Sequence, residues 1–392
     1  MLLTPVCASA QQSSAPVAIS RDSAISLALA HGSRAAIASA DSRAATARVR
    51  QAGMLANPLL TTSYSKAVPQ YHASIDVPLD FLTLRGLRTA SARSASEAAQ
   101  LRIAFERAAI RLDADTLYTL AAARRAHAML SLRNAADADS LLTVAAVRRT
   151  AGDASDLDVD VARISAGRAR NAAVADSEAA VSALLELQQA LGLAVDAPAI
   201  VIADSLDVPR ADTLSAAMSL SVAAAQRELQ SSEQALALEK RNIWSGLALQ
   251  AGVENHDPTG TEPGLLPTVG VSIPLPLFSQ GQGSIAVAVA ERDRARVQLA
   301  AAQRESDAQV TRARRELAAA TARVARDRQL VATANRVARL SLRAYVEGQY
   351  PLTTVLDAQR NARDTLSELI DDLVAANTAA AALRLYTETA PQ

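Results

Sequence analysis

Two long stretches of this 392-residue chain, 79–197 and 277–350, contain no proline. Within them, Arg88–Thr150 and Ser284–Glu347 are alanine-rich runs of about 64 residues with helical patterning. A continuous helix of that size would be about 95 Å long at ~1.5 Å per residue, longer than an ordinary globular domain. Each run opens just after a related motif. Val77-Pro78-Leu79-Asp80-Phe81 recurs 196 residues later as Ile273-Pro274-Leu275-Pro276-Leu277-Phe278. Each run also closes at a glycine, Gly152 or Gly348, again 196 apart, and an alanine follows ten residues later (Ala162, Ala358). Two landmarks with one offset indicate an internal duplication. The period is too long for a solenoid unit and fits two copies of a strand-pair-plus-helix-hairpin module.

What precedes each run is also repeated. From Asp22 to about Ala56 the pattern is helical, with Ile25, Leu29, Ala36 and Ile37 on one face and Ser20 or Asp22 available as cap. Asn57-Pro58 ends it, because proline disfavours helix in the residue before it. Leu59–Lys66 and Tyr71–Phe81 then flank a Val68-Pro69-Gln70 turn, and Tyr71–Phe81 alternates with period two, the sign of a strand with unlike faces. In the second half a helix at about 212–242 leads to strands at 243–254 and 266–278, separated by a Gly/Pro-rich loop. The strands are predicted at about 9–12 residues each, the length of a tilted membrane strand. Five of the ten aromatics (Tyr64, Tyr71, Phe81, Trp244, Phe278) fall in these short regions, as expected at the water interfaces of a barrel. Four strands cannot close a membrane barrel, so several chains must contribute.

In the second run Val310, Leu317, Val324, Val331, Ala338 and Tyr345 are spaced by sevens, a coiled-coil seam. Arg312, Arg314, Arg315, Glu316, Arg323, Arg326 and Asp327 are expected off that seam. The returning helices, Leu157–Leu191 and Leu352–Thr387, are shorter than the runs they pack on. The helices at 22–56 and 212–242 are expected to fill the remaining space, and Leu193–Pro209 reads as a linker.

The division of the chain that follows is a signal-like start at 1–10, a first repeat at 11–192 with its strand hairpin at 59–81 and tip near 152, and a linker at 193–210. A second repeat covers 211–388, with its strand hairpin at 243–278 and tip near 348, and 389–392 is a tail. No segment has the ~18–20 consecutive apolar residues of a transmembrane helix, so any crossing must be made by a barrel. Ala8-Ser9-Ala10 has the form of a secretory cleavage site, although a basic n-region is missing and the apolar stretch is short. Cys7 has an alternative reading as a lipid-acylation site, with Val6 a poor residue before it. It is the single cysteine, so cleavage after Ala10 would remove thiol chemistry altogether.

Formal charge is balanced, 40 basic residues against 40 acidic, which leaves no basic excess for nucleic acid. His31, His72, His127 and His256 are isolated. Asp156-x-Asp158-x-Asp160 imitates the start of an EF-hand, but Val161 stands at the required glycine and Gly167 at the bidentate glutamate. Gly281-Gln282-Gly283 lacks the lysine of a P-loop. No nucleophile–base set or carboxylate pair stands out. No enzyme, metal or cofactor is expected.

The ordered set Asn57-Pro58-Leu59, Val77-Pro78-Leu79 with Arg85-Gly86-Leu87-Arg88, Gly152-Asp153-Ala154-Ser155-Asp156-Leu157-Asp158-Val159, Ile273-Pro274-Leu275-Pro276-Leu277-Phe278, Tyr345-Val346-Glu347-Gly348 and Val355-Leu356-Asp357-Ala358-Gln359 resembles the TolC-type outer-membrane efflux protein family. Its shorter members of the heavy-metal-efflux branch are the nearest likeness. The resemblance implies a mainly α fold with a membrane β-barrel contribution: a homotrimer in which four strands per chain make a 12-stranded barrel in outer-membrane lipid, above an α-helical periplasmic tunnel. It implies a passive exit duct that works with a periplasmic adaptor and an inner-membrane pump of the RND type. It places Gly152 and Gly348 at the tip turns, Pro78, Pro274 and Pro276 at the strand-to-helix boundaries, and Asp158, Tyr345 and Asp357 at the periplasmic aperture. Tyr350 stands where the family has an aperture arginine. The alternative is a soluble periplasmic coiled coil or adaptor without a pore.

Overall fold

The computed structural model describes residues 17–67, 69–80, 84–196, 198–209, 218–242, 245–255, 264–275 and 277–389. The expectations for the signal-like start, for Phe81, Trp244 and Pro276, and for most of the loop between the second pair of strands fall outside them. In order the elements are β1 (Val17–Ile19), α1 (Arg21–His31), α2 (Ser33–Ala52), β2 (Leu59–Tyr64), β3 (Tyr71–Pro78), α3 (Arg85–Thr150) and α4 (Asp156–Ala190). They continue with β4 (Ile200–Ile202), α5 (Leu220–Arg241), β5 (Ala248–Asn255), β6 (Leu266–Ser272), α6 (Gln282–Val346) and α7 (Leu352–Thr387).

The proline-free runs are single helices of 66 and 65 residues. Four details depart from expectation. The first helical segment is two helices, because Gly32 is extended (φ −62°, ψ 140°) and its N–H closes α1 on Ala28. The segment at 193–210 is more than a linker, since β4 lies in it and pairs parallel with β1. The strands run to 6–8 residues rather than 9–12, and β5 begins at Ala248 rather than 243. Asp327 lies in the buried stripe of α6 and not off it.

The chain divides into two compact units. One comprises Ile37–Glu106, Ala216–Ala308 and Glu388–Gln392. Its sheet is antiparallel in the order β2-β3-β5-β6, so the two strand hairpins join into one surface. Register brings Leu60, Ile75, Ala251 and Val269 into one cross-strand row and Val77, Leu249 and Val271 into another. These residues point to one face, and all are exposed. The opposite face carries Thr61, Ser74, Asp76, Gln250, Glu254 and Thr268. There Gln250 donates to Ser74 (3.2 Å), and His72 lies 3.3 Å from Glu254. Tyr64 and Tyr71 stack at one end of the sheet with centroids 5.3 Å apart.

Arg85-Gly86-Leu87-Arg88 acquires a physical role in this unit. The last carbonyls of α2 have no helical partners. Arg85 donates to Gly53 O (2.9 Å), and Arg88 donates to Ala52 O (2.9 Å), Met54 O (3.0 Å) and the Asp80 carboxylate (3.1 Å). Asp80 is itself buried. The start of α3 is thereby tied to the end of α2 and to the end of β3. Farther along, Ser91 and Ser231 exchange side-chain-to-carbonyl bonds and Ser94 donates to Gln234 (2.8 Å), so small residues let α5 lie close against α3.

The other unit comprises Met1–Ala36, Arg107–Ser215 and Gln309–Thr387. Its first core packs α1 and the β1–β4 pair on α3 and α4 through Ile19, Ala24, Ala28, Ile110, Ala114, Tyr118, Leu187, Ile200 and Ile202. The Tyr118 hydroxyl donates toward Ile19 O (2.9 Å) and the Asp204 carboxylate (2.9 Å) and accepts from the Asp204 N–H (3.2 Å). Asp115 is buried between Arg21 and Arg384. Replacing Arg88 with alanine strips three acceptors at once. Arg88→Ala is expected to cost about 2–3 kcal/mol, seen as a lower thermal midpoint by circular dichroism. Lysine, with no planar fork, should restore less than half of the loss.

Candidate functional site

The second core of the same unit lies near both tip glycines and holds Tyr345, the one aperture candidate that is buried. Leu141, Ala145, Val159, Ala162, Tyr345, Leu352 and Val355 are buried against one another. Both long helices end identically. Gly152 (φ 84°) donates to Arg149 O and Asp153 donates to Arg148 O; Gly348 (φ 78°) donates to Tyr345 O and Gln349 donates to Ala344 O. This paired bonding is the Schellman motif, and its left-handed residue favours glycine.

Asp158 sits in the first turn of α4. Its carboxylate accepts from the Ser155 N–H (3.2 Å) and Ser155 hydroxyl (3.0 Å), while Ser155 Oγ accepts from the Asp158 N–H, a reciprocal capping box. Tyr345 is 2% exposed, and its hydroxyl has no hydrogen-bond partner among the described residues. Burial pushes the phenol above its ordinary range; the Arg148 charge opposes this and the Asp158 charge reinforces it. Asp158 and Tyr345 are thus close enough to sense each other, yet Asp158 is bonded to its own cap. Asp357 is exposed on α7, 3.9 Å from Arg360. Tyr350 is also exposed. Pro78 is the last residue of β3, and Pro274 lies just beyond β6, where it packs near Gly246.

Arg148 was missed by sequence reasoning. It donates to Tyr345 O (2.6 Å) and to Asp153 O (3.2 Å), with its guanidinium 4.6 Å from the centre of the Tyr345 ring. A second omission is Asp327. It is buried in the stripe three residues after Val324, and one carboxylate oxygen lacks a partner. Asp372 of α7 lies beside it and also binds Arg323 at 2.7 Å. Desolvation raises the Asp327 carboxyl, followed by the hydrogen bond to and charge of Asp372 and the charge of Glu368; Arg326 opposes them. Between the two helical hairpins a groove of about 680 Å³ is lined by Leu141, Val161, Leu342 and Leu356 together with Arg168 and Arg339. Among the described residues no cluster of three His, Cys, Asp or Glu side chains could hold a metal, and no helix is long and apolar enough to cross a membrane.

Residues 264–388 match the family model described as outer membrane efflux protein. That segment, from β6 to the end of α7, is similar to the family's domain. The rest of the fold agrees with it. VceC of Vibrio cholerae, an outer membrane protein, is 17% identical with a TM-score of 0.76, over 94% of this chain and 95% of that one. The CmeC outer membrane channel of Campylobacter jejuni is 10% identical with a TM-score of 0.79, over 94% and 85%. CusC, whose structures concern transmembrane channel formation, is 14% identical with a TM-score of 0.78, over 94% and 91%. No curated protein sequence matches this one. The chain therefore shares the fold of these proteins over nearly its whole length, while the family model itself falls on its second half.

Two outcomes test the tip. Gly152→Ala should cost roughly 1–2 kcal/mol through the strained left-handed backbone, whereas Gly167→Ala, mid-helix with open space around it, should stabilise by about 0.5–1 kcal/mol. Equal thermal shifts for the two would contradict the assigned turn. The raised Asp327 carboxyl has a definite sign. Its protonated form is favoured by folding, so its contribution is full below the unfolded carboxyl range and is lost as pH rises through the folded value. Asp327→Asn should raise the thermal midpoint at pH 7.5, with the gain vanishing near pH 3.5; a pH-independent shift would contradict this.

Proposed function

We propose that this protein is the outer-membrane exit duct of a tripartite efflux system, a passive channel with no catalytic activity. The observation that carries this reading is the four-stranded sheet. One face is mostly apolar and exposed and the other mostly polar, with two edge strands, β2 and β6, on a single chain. An apolar face suits lipid and a polar face suits a water-filled lumen. Three copies joined at those edges make a 12-stranded barrel with no free edge. A soluble coiled coil or adaptor leaves such a sheet without a role.

The helical hairpins are then the periplasmic tunnel, and the two tip turns with Asp158, Tyr345 and Asp357 line its aperture. Energy comes from an inner-membrane pump of the RND type, and a periplasmic adaptor engages the helical tips. Three Asp357 carboxylates around a threefold axis form an acidic ring. Asp158 reaches the Tyr345 hydroxyl only after leaving its capping box. Opening the aperture against a closed resting state needs a differential affinity of about 5.5 kcal/mol for a 99:1 reversal, which adaptor contacts repeated three times can supply.

The test is fractionation followed by planar-bilayer recording. The protein is expected in the outer-membrane fraction as a heat-modifiable trimer that conducts in steps. Asp158→Ala combined with Tyr345→Phe is expected to raise single-channel conductance several-fold. A soluble monomer would sink the duct, and unchanged conductance in the double variant would remove these two residues from the gate.

A further inference from the structure

We propose that Arg148 is a one-way clasp, a positioning residue by which the first helical hairpin holds the tip of the second. One guanidinium reaches acceptors on both hairpins. Nη1 donates to Tyr345 O (2.6 Å) in the last turn of α6, and Nη2 donates to Asp153 O (3.2 Å) in its own turn. The cation also lies 4.6 Å from the Tyr345 ring centre, within the range of an attractive cation–π contact. The planar fork of arginine allows these contacts together, and a single ammonium cannot reproduce them.

The acceptor is a backbone carbonyl already engaged by the Gly348 N–H. The clasp therefore holds the Schellman turn of the second tip rather than a side chain that can swing away. Neither partner titrates in the physiological range, since guanidinium stays charged and the carbonyl is neutral. Arg149 next door is a natural control. It pairs with Asp156 of its own hairpin on an exposed surface and, among the described residues, makes no hydrogen bond or ion pair with the second hairpin. Releasing Arg148 frees α6 and its tip to move relative to α3. The gating consequence rests on the duct reading; the clasp itself does not.

The experiment therefore has two arms on the full chain in detergent or bilayer. Hydrogen exchange followed by mass spectrometry compares wild type with Arg148→Gln, Arg148→Lys and Arg149→Gln. Arg148→Gln is expected to speed exchange of the 344–352 segment about tenfold, since a charge-assisted bond and its cover are lost, with Arg148→Lys intermediate. Arg149→Gln should affect only residues around 149–157. Faster exchange confined to 148–154 in Arg148→Gln would reduce the residue to a local cap and overturn the clasp. In planar bilayers Arg148→Gln should increase conductance or open probability at least several-fold, while Arg149→Gln should not. Cross-hairpin exchange with unchanged conductance would overturn its part in gating. Failure of every variant and wild type to conduct would instead overturn the duct, with the exchange arm still deciding the clasp.

Discussion

An exposed apolar sheet face calls for a cover, and where that cover is hydrocarbon every unpaired backbone N–H and C=O costs several kcal/mol. That constraint organises the rest of this protein. The strands β2, β3, β5 and β6 satisfy one another internally, but β2 and β6 remain edges of the single chain. In the proposed duct those edges are closed by identical partners, which would in turn bring the helical hairpins of neighbouring copies side by side. The exposed apolar side chains of α6, such as Val287, Val297, Leu330, Val337 and Leu340, are what a helix shows when part of its packing lies outside its own chain.

The long helices meet a second constraint. A helix of 65 residues with few large side chains gains little from any one contact, so it depends on close approach along its length. Alanine supplies that approach in both cores, and serine supplies it where α3 meets α5. A buried charge in such a seam is costly. Asp327 lies there beside Asp372, which pairs with Arg323, and burial shifts its carboxyl toward the neutral form. Buried polar groups in coiled coils also specify register, and Asp327 against Asp372 would fix how α7 lies along α6.

Periodicity and punctuation made the helices and both tips legible in the sequence. The 65-residue runs, the glycines at 152 and 348 and the return at Leu352–Thr387 were readable because each rests on local chemistry: absent proline, sevenfold spacing, left-handed backbone. The β1–β4 pair was not readable. Three-residue strands 183 positions apart carry no periodic signal, and their pairing is decided by the core beneath them. Asp327 was missed because a charge was assumed to be solvated, although its position three residues after Val324 put it in the stripe. The contacts of Arg85, Arg88 and Arg148 were unreadable for one shared reason. Their acceptors are carbonyls, present at every residue, so residue identity could not show which ones the fold would bring within reach.

The two halves of the chain run through the same order of elements, yet positions 196 residues apart differ in the side chains that secure them. At the first strand-to-helix boundary Arg85 and Arg88 tie α3 to α2; at the second, the equivalent positions are Gly281 and Ser284, and Gly281 takes a positive φ instead. At the tips the Schellman turns are bonded alike, yet Arg148 and Arg149 of the first stand where the second has Ala344 and Tyr345. One tip therefore supplies the cation, and the other supplies the aromatic face and the carbonyl. A symmetric pair of tips would have two cations or two rings facing each other and no clasp. Asymmetry laid over a duplicated frame lets one hairpin hold the other, so the second tip can move when the first releases it.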